Sequence, residues 1–409
     1  MTYHERLGRN VYRTLLVGFF QVFLVIMPVV VPFFGSFGLS MKDIFALQAL
    51  YGFVVVVTEV PSGYVADVLG RKNTLVIGAV LAAVGHSCLL FAEGFWTLAL
   101  FELFLGLAHS LISGADLALL YDTELALGSS EDKQRQVVGK LYSARSFSEA
   151  LAGVVCTGVM LWAGFKELVY LQVSIGWIPV FLVLRLVEPP GERLCSESHV
   201  ANMARIMRYL LNHSRVLRLV ILALSIWSLT TFYAVWLLQQ LWQQQGIDLA
   251  HFGWIWAGLT LLAALAGRWA HRLEAAFGAR AVLLFIGLAP ALGYAGLETL
   301  GGVGGLIISA TFFLARGLGL VILRDALNKR VPSEFRATAN SIASFGFRGA
   351  FVVTGPIVGH VFDLWGMSTT LLMLVGVTLV IFATLILPLI VAVRTLPDEG
   401  VVENEAGIG

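Results

Sequence analysis

The chain of 409 residues is long enough for two or three soluble domains, but its composition excludes a soluble globular protein. Hydrophobic residues make up 58% of it and charged residues 13%, which is roughly half the usual charged share of about 25%. The net charge of +1 gives no electrostatic reason to expect binding to nucleic acid. These values predict an all-α integral membrane protein.

Apolar runs of about 20 residues, the length that crosses a bilayer, recur along the chain. The first follows Arg6, Arg9 and Arg13 and is too long for a signal peptide, so we expect it to be retained. The runs predict twelve transmembrane helices, near residues 14–37, 44–66, 73–92, 96–122, 138–163, 168–187, 216–240, 251–271, 280–299, 303–325, 337–361 and 368–393. The predicted organisation is an N-terminal six-helix half (1–187), a cytoplasmic linker (188–215), a C-terminal six-helix half (216–393) and a cytoplasmic tail (394–409).

Lysine and arginine residues lie almost entirely on one side of these predicted helices, and the opposite loops contain only Lys42 and Lys166. Because cytoplasmic loops carry an excess of basic residues, we expect both termini in the cytoplasm, in a bacterial inner membrane. Segment 201–218 places four arginines among apolar residues and is expected to lie as an amphipathic helix on the inner leaflet. A helix that binds a calmodulin-like partner is the alternative.

The two predicted halves share a weak repeat. Asp122 ends the fourth helix and Asp325 ends the tenth, and each is followed by arginines that lead into the next helix. Paired halves of this kind place a binding site between them, near the middle of the membrane.

A short charged turn follows the second predicted helix, with the pattern G-x-x-x-D-x-x-G-R-K from Gly63 to Lys72. Gly63 permits close helix contact, Gly70 permits an unusual backbone conformation, and Asp67 offers a negative charge to the N-terminus of a neighbouring helix. The turn resembles motif A of the major facilitator superfamily, and the resemblance covers essentially the whole chain.

This resemblance implies a monomeric transporter whose halves rock about a central site, while motif A closes the cytoplasmic side. Asp67 is then expected at the N-terminal end of the eleventh helix, near Ala337 to Ser341. Arg71 or Lys72 is expected to pair with an acidic residue at the inner end of the fourth helix, either Asp122 or Glu124.

Two departures from the family pattern affect the choice of branch. Glu102 stands where motif B of the family has an arginine, and the fifth helix lacks the G-P-x-x-G-G antiporter sequence. The similarity to the drug/proton antiporter branch is therefore a general one.

Ionisable side chains within membrane helices are costly and commonly functional, and the fourth helix carries three. Glu102, His109 and Asp116 are seven residues apart, so they share one helix face at steps of about 10 Å. Since the resemblance places this helix beside the central cavity, we interpret the three as a proton path. The alternative is that Glu102 extends outward to the interface and that His109 is a packed core residue.

Further charges lie in the second, fifth, tenth and eleventh helices. Arg145 and Glu149 are four residues apart and are able to neutralise each other, although Glu149 is also a candidate for proton coupling. Glu59 is expected to pair with Arg348 or with Arg145. Arg316 and Arg348 are candidates to bind an anionic substrate group, and Asp116 is the alternative partner of Arg316.

Aromatic and amide side chains of the first and seventh helices are expected to contact an amphipathic organic compound: Gln21, Trp227, Thr231 and Tyr233. The prediction is a secondary transporter that exports such a compound against protons. Uptake of a nutrient or organic anion is the alternative, and a membrane-embedded enzyme is a remote one. Dispersed histidines and the absence of an H-E-x-x-H or Walker sequence give no reason to expect a metal or cofactor.

Overall fold

The computed structural model describes residues 3–190, 214–332 and 335–395, and these residues form helices without any strand. We call residues 3–190 the N-terminal half and residues 214–395 the C-terminal half. Most of the predicted linker, including most of segment 201–218, lies outside the described residues. The helices of the N-terminal half are α1 (Tyr3–Gln21), α2 (Val30–Gly35), α3 (Met41–Leu69), α4 (Arg71–Cys88), α5 (Phe95–Ala126), α6 (Glu131–Trp162) and α7 (Phe165–Leu184).

The C-terminal half contains longer continuous helices. They are α8 (Arg215–Leu222), α9 (Ser228–Gln244), α10 (Leu249–Thr299), α11 (Gly302–Lys329), α12 (Arg336–Ile381) and α13 (Leu387–Thr395). Two π-helical segments, Ala223–Trp227 and Phe382–Ile386, join α8 to α9 and α12 to α13.

Nine helical stretches within the described ranges are long and apolar enough to cross a membrane. The prediction of a multi-pass helical membrane protein is therefore confirmed. Helix α10 has 51 residues, a contour of about 77 Å at 1.5 Å per residue, which exceeds twice the thickness of the hydrocarbon core, about 30 Å. Its backbone leaves helical geometry at Gly278, where φ is 80°, and α12 does so at Gly366, where φ is 76°.

Polar contacts define two ends of the bundle. At one end, which we call the Arg71 end, the Tyr3 hydroxyl donates to the carbonyl of Glu188, and Arg71 Nε lies 3.7 Å from Asp122 Oδ2. The other end, which we call the Lys42 end, contains the start of α3 and the loop before α7.

The first membrane-inserted segment is interrupted. Helix α1 stops at Gln21, and the chain re-enters helical geometry only at Met27. Side chains of other helices bind the freed backbone groups: Ser148 donates to Phe19 O at 2.6 Å, and Gln172 Oε1 accepts from Ile26 N at 3.4 Å. Such partners are required because lipid offers no hydrogen bonds to an open backbone.

The two halves pack through α3 against α12 and through α6 against α10. Small residues bring the second pair together, because a Cβ added to Gly153 would lie 2.7 Å from the Gly253 carbonyl oxygen. Close backbone approach of this kind is how helices associate in a medium without a hydrophobic driving force between them.

Candidate functional site

The three residues of α5 predicted as a proton path contact three different helices. Glu102 is 4% exposed, and its Oε1 accepts a hydrogen bond from Gln48 Nε2 of α3 at 2.5 Å. The alternative that Glu102 extends outward is therefore wrong. His109 lies two helical turns after Glu102. Asp116, two turns further along α5, forms an ion pair with Arg145 of α6.

His109 contacts the C-terminal half. Its Nε2 lies 2.9 Å from Arg348 Nη2 of α12. The same guanidinium lies 5.7 Å from the ring centroid of Tyr51 in α3, within cation–π distance. His109 is thus part of a polar contact between the halves and not an isolated core residue.

Two predicted charge pairings do not form. Arg145 bonds to Asp116 and not to Glu149, and Arg316 therefore does not pair with Asp116. Glu149 is instead exposed and electrostatically attracted to Arg316 of α11. The reason is tertiary: α6 and α11 belong to different halves, and their relative position is not encoded in i,i+4 spacing.

Glu59 of α3 is also near an arginine of the other half. It is attracted electrostatically to Arg348, which is one of the two partners expected from the sequence. Within the described ranges Glu59 forms no ion pair at contact distance, so the bridge predicted from the sequence is a longer-range attraction.

A cavity of about 200 Å³ lies among the π-helical segment Ala223–Trp227, α9, α11 and α12. Four of the predicted substrate residues line it, namely Trp227, Thr231, Arg316 and Arg348. The remaining lining residues are Leu224, Ser228, Phe232, Leu320, Arg324, Asn340, Ala343, Ser344 and Phe347. The cavity thus combines three arginines with an apolar wall.

Two other predicted substrate residues lie elsewhere. Tyr233 is 4% exposed, and its hydroxyl is 2.6 Å from Thr354 Oγ1, in the contact between α9 and α12. Gln21 ends α1 and does not line the cavity, although its Nε2 is buried without a hydrogen-bond partner. Neither residue lines this cavity, because depth along a helix does not determine which face is turned inward; their role in binding substrate stays a prediction.

Several cavity residues were not predicted from the sequence, among them Ser228, Arg324 and Asn340. A signal was present, since Arg316, Leu320 and Arg324 are spaced by four residues, as are Asn340, Ser344 and Arg348. Residues at i, i+4 and i+8 share one helix face.

The turn between α3 and α4 has the expected charged surroundings. Gly70 adopts φ +89°, as its assigned backbone role requires, and Arg71 pairs with Asp122. A Cβ added to Gly63 would meet nothing within 4 Å, so the expected close helix contact there is wrong. The side chain of Asp67 lies outside what the structure describes.

Glu188, which follows α7, contacts this turn, and this contact was not predicted from the sequence. Its Oε1 and Oε2 accept the backbone N–H groups of Arg71 and Lys72, each at 2.7 Å. A carboxylate at this position satisfies two free donors of the α4 N-terminus and complements its dipole.

The helices and the polar cavity among them define a multi-pass membrane protein. Residues 14–328 match the family model described as the Major Facilitator Superfamily, and the chain belongs to that family. Membership points to transport across a membrane and not to enzyme catalysis. A search of curated proteins gave no match.

Several solved structures share the fold. A mutant of the nucleoside transporter NupG has a TM-score of 0.78 at 15% identity, covering 93% of this chain and 99% of that chain. A POT family transporter in complex with 5-aminolevulinic acid has a TM-score of 0.71 at 14% identity, covering 93% and 96%. A bacterial homologue of the human lysosomal transporter Spinster has a TM-score of 0.69 at 13% identity, covering 94% of each chain.

Proposed function

We propose that the protein is a secondary active transporter that moves a small amphipathic organic compound across the membrane by alternating access. Twelve crossings account for the helices. Helix α1 with α2 supplies one, α8 with α9 one, α10 two on either side of Gly278, and α12 with α13 two on either side of Gly366. The remaining six crossings are single helices: α3, α4, α5, α6, α7 and α11.

One observation carries this proposal, namely the position of the polar contacts between the halves relative to the cavity. At the Lys42 end, Asp363 accepts the backbone N–H groups of Met41 at 3.1 Å and Lys42 at 3.0 Å. Gln239 of α9 accepts from Val31 N at 3.0 Å and donates to Met27 O at 3.1 Å. The cavity, in contrast, reaches Arg324 and Asn340, which lie toward the Arg71 end. We propose that it is accessible from that end, opposite the closed side.

Charge orients the protein in the membrane. Arg6, Arg9, Arg13 and Arg71 belong to the Arg71 end, which the excess of basic residues assigns to the cytoplasm. On this orientation both termini are cytoplasmic, the protein lies in the cell membrane, and the present conformation faces inward.

The turn between α3 and α4 is proposed as the cytoplasmic gate. Gly70, the Arg71–Asp122 pair and the Glu188 cap hold the turn against α5 and the end of α7. Closure would bring Asp67 toward the N-terminal end of α12. The gate acts within one chain, which is consistent with a functional monomer.

Proton coupling is proposed through the ionisable residues of α5. Arginine has no acceptor and is always a donor, so its contact with His109 requires Nε2 of His109 to be unprotonated. A proton bound at that nitrogen removes the hydrogen bond and repels Arg348, and therefore separates α5 from α12. Asp116, Glu102, Glu149 and Glu59 supply the carboxylates that relay or balance this proton.

Purified protein in proteoliposomes tests transport and coupling separately. Counterflow without a pH gradient measures exchange, and accumulation under an imposed gradient measures coupling. We expect Asp116→Asn and Glu102→Gln to abolish gradient-driven accumulation. Transport that is independent of pH and unaffected by both substitutions would overturn the coupling proposal, whereas absence of counterflow for every compound screened would overturn transport itself.

Export is the proposed direction, in keeping with the general similarity to drug/proton antiporters. Uptake is the second candidate, since a cavity accessible at the Arg71 end serves loading in export and release in uptake. The sign of accumulation in vesicles with an acidic or an alkaline lumen distinguishes the two.

A further inference from the structure

We infer that the compound bound in the cavity is a small monovalent organic anion with an apolar body, whose oxyanion group binds between Arg316 and Arg348. The inference rests on the proposed transport function, because it names the charge class of the compound that is carried.

Two antiparallel helices place the arginines at defined depths. Along α11, Arg316 and Arg324 are eight residues apart, about 12 Å at 1.5 Å per residue, and both line the cavity. Along α12, which runs in the opposite direction, Asn340 lies toward the Arg71 end and Arg348 toward the centre. Arg316 and Arg348 therefore belong to the deep part of the cavity, and Arg324 and Asn340 to its mouth.

The deep part contains polar atoms that lack partners. Arg348 Nε and Ser228 Oγ are both buried without a hydrogen-bond partner, and both residues line the cavity. Arg348 has five N–H donors. One is engaged by His109, and the guanidinium also interacts with the Tyr51 hydroxyl, while Nε is left without a partner. Buried polar groups are normally hydrogen-bonded, so these atoms favour a ligand that supplies acceptor oxygens.

The acidic residues nearby do not supply acceptor oxygens to these donors. Glu149 attracts Arg316 and Glu59 attracts Arg348, but in the part of the chain that the structure describes neither forms an ion pair with its arginine. Asp116 is paired with Arg145, and Glu102 is hydrogen-bonded to Gln48.

Charge balance then favours a single negative charge on the ligand. Three guanidiniums line the cavity, and the carboxylates of Glu149 and Glu59 attract two of them, which leaves one positive charge over. A carboxylate is planar and accepts two parallel hydrogen bonds from a guanidinium, which matches the donors left free by the protein.

The rest of the cavity is suited to an apolar body. Leu224, Leu320 and Ala343 lie along it, and Phe232 and Phe347 pack edge to face with ring centroids 5.3 Å apart. The volume of about 200 Å³ is below the range of roughly 300–1,000 Å³ that holds drug-sized ligands. The ligand is therefore small, with room for one ring or a short chain beside the anionic group.

Thermal unfolding of the purified full-length protein tests the inference with matched probes. Phenylbutyrate, its amide and phenylbutylamine share one skeleton and differ in charge, as do indoleacetate, its amide and tryptamine. We expect at least one carboxylate to bind at least about tenfold more tightly than its amide and its amine, because neither of these forms the charge-assisted hydrogen bonds of a carboxylate with arginine.

Four variants locate the binding. Ser228→Ala and Arg348→Gln are expected to weaken binding of the carboxylate, whereas Arg348→Lys retains part of it because the positive charge remains. Arg272→Gln is the control, since Arg272 is exposed and does not line the cavity. If Arg348→Gln does not fold, Ser228→Ala alone tests whether the carboxylate binds in the cavity, because this variant removes one hydroxyl and leaves the contact between the halves in place.

Three results would overturn the inference: in both series an amine or amide that binds as tightly as its carboxylate, no shift with either carboxylate, or a carboxylate affinity that is the same in Ser228→Ala and Arg348→Gln as in the unchanged protein. Counterflow of a neutral or cationic compound in proteoliposomes would leave the transport proposal standing while rejecting the anion. Binding of the anion without counterflow would support the anion and reject the transport proposal.

Discussion

Arg348 of α12 donates a hydrogen bond to Nε2 of His109 in α5, two residues separated by 239 positions in the chain. The contact joins the two halves at the centre of the bundle. The Tyr51 ring of α3 lies 5.7 Å from the same guanidinium. Because arginine only donates, this contact requires His109 Nε2 to be unprotonated.

The first prediction concerns the protonation of His109. Glutamine at position 109 provides a carbonyl oxygen that accepts from Arg348 but does not titrate in the physiological range. We expect His109→Gln to retain counterflow in proteoliposomes and to lose the additional accumulation that a pH gradient drives in the unchanged protein.

The control is His360→Gln, because His360 is on α12 but exposed. It is expected to behave like the unchanged protein in both assays. Gradient-driven accumulation that persists in His109→Gln would show that the coupling proton is bound elsewhere.

The second prediction concerns the Asp116–Arg145 ion pair between α5 and α6. Asp116 is 1% exposed, so Asp116→Asn leaves Arg145 without its charged partner. We expect a loss of about 1.5–3 kcal/mol in the free energy of unfolding, the range for hydrogen bonds to charged groups. The measurement is denaturation in mixed detergent micelles.

A double-mutant cycle checks this assignment. If the two side chains interact directly, Asp116→Asn combined with Arg145→Gln should cost less than the sum of the single changes, by at least about 1 kcal/mol. Additive losses would mean that each residue stabilises the bundle through other neighbours.

The third prediction concerns the contact between α6 and α10. A methyl group at Gly153 would lie 2.7 Å from Gly253 O and 3.1 Å from Ala257 N, and backbone atoms cannot yield as a flexible side chain does. We expect Gly153→Ala to destabilise this conformation by about 1–3 kcal/mol, as overpacking commonly does, and to lower the unfolding temperature of the purified protein.

Gly158 provides a matched control on the same helix. A Cβ there meets nothing within 4 Å, so Gly158→Ala should leave stability unchanged or raise it by about 0.5–1 kcal/mol through helix propensity. Equal effects of the two substitutions would contradict a close approach at Gly153.

The fourth prediction concerns the cap at the start of α4. Glu188→Gln leaves one carbonyl oxygen where two carboxylate oxygens accept from Arg71 and Lys72. The loss of one hydrogen bond and of the charge near the helix N-terminus should cost about 1 kcal/mol. The readout is the unfolding temperature, with Glu93→Gln, an exposed glutamate at the other end, as the control. A shift no larger than that of the control would show that the cap adds no stability.

Much of the helical organisation could be predicted from the sequence, because the requirement for long apolar runs is local. The starts of α3, α4 and α5 lie within three residues of the predicted bounds. The break at Gln21 was not predicted. It depends on Ser148 and Gln172, which come from α6 and α7 and satisfy the opened backbone.

The candidate site was predictable by residue type and not by partner. Rare charges in apolar helices identified Asp116, Arg145, Arg316 and Arg348. Their pairing could not be predicted, because opposite charges attract over similar distances whichever helix carries them. Only the packed arrangement selects Arg145 for Asp116 over the other arginines.

The sequence by itself determined that the chain is a helical membrane protein with few charges inside it, and the pattern from Gly63 to Lys72 indicated its family. These properties follow from composition and short-range spacing. The tertiary structure alone decided that His109 meets Arg348, that Tyr233 packs between helices, and that Arg324 lines the cavity with Arg316. The physical reason is that a helix turns about 100° per residue, so the face each residue presents depends on how neighbouring helices pack.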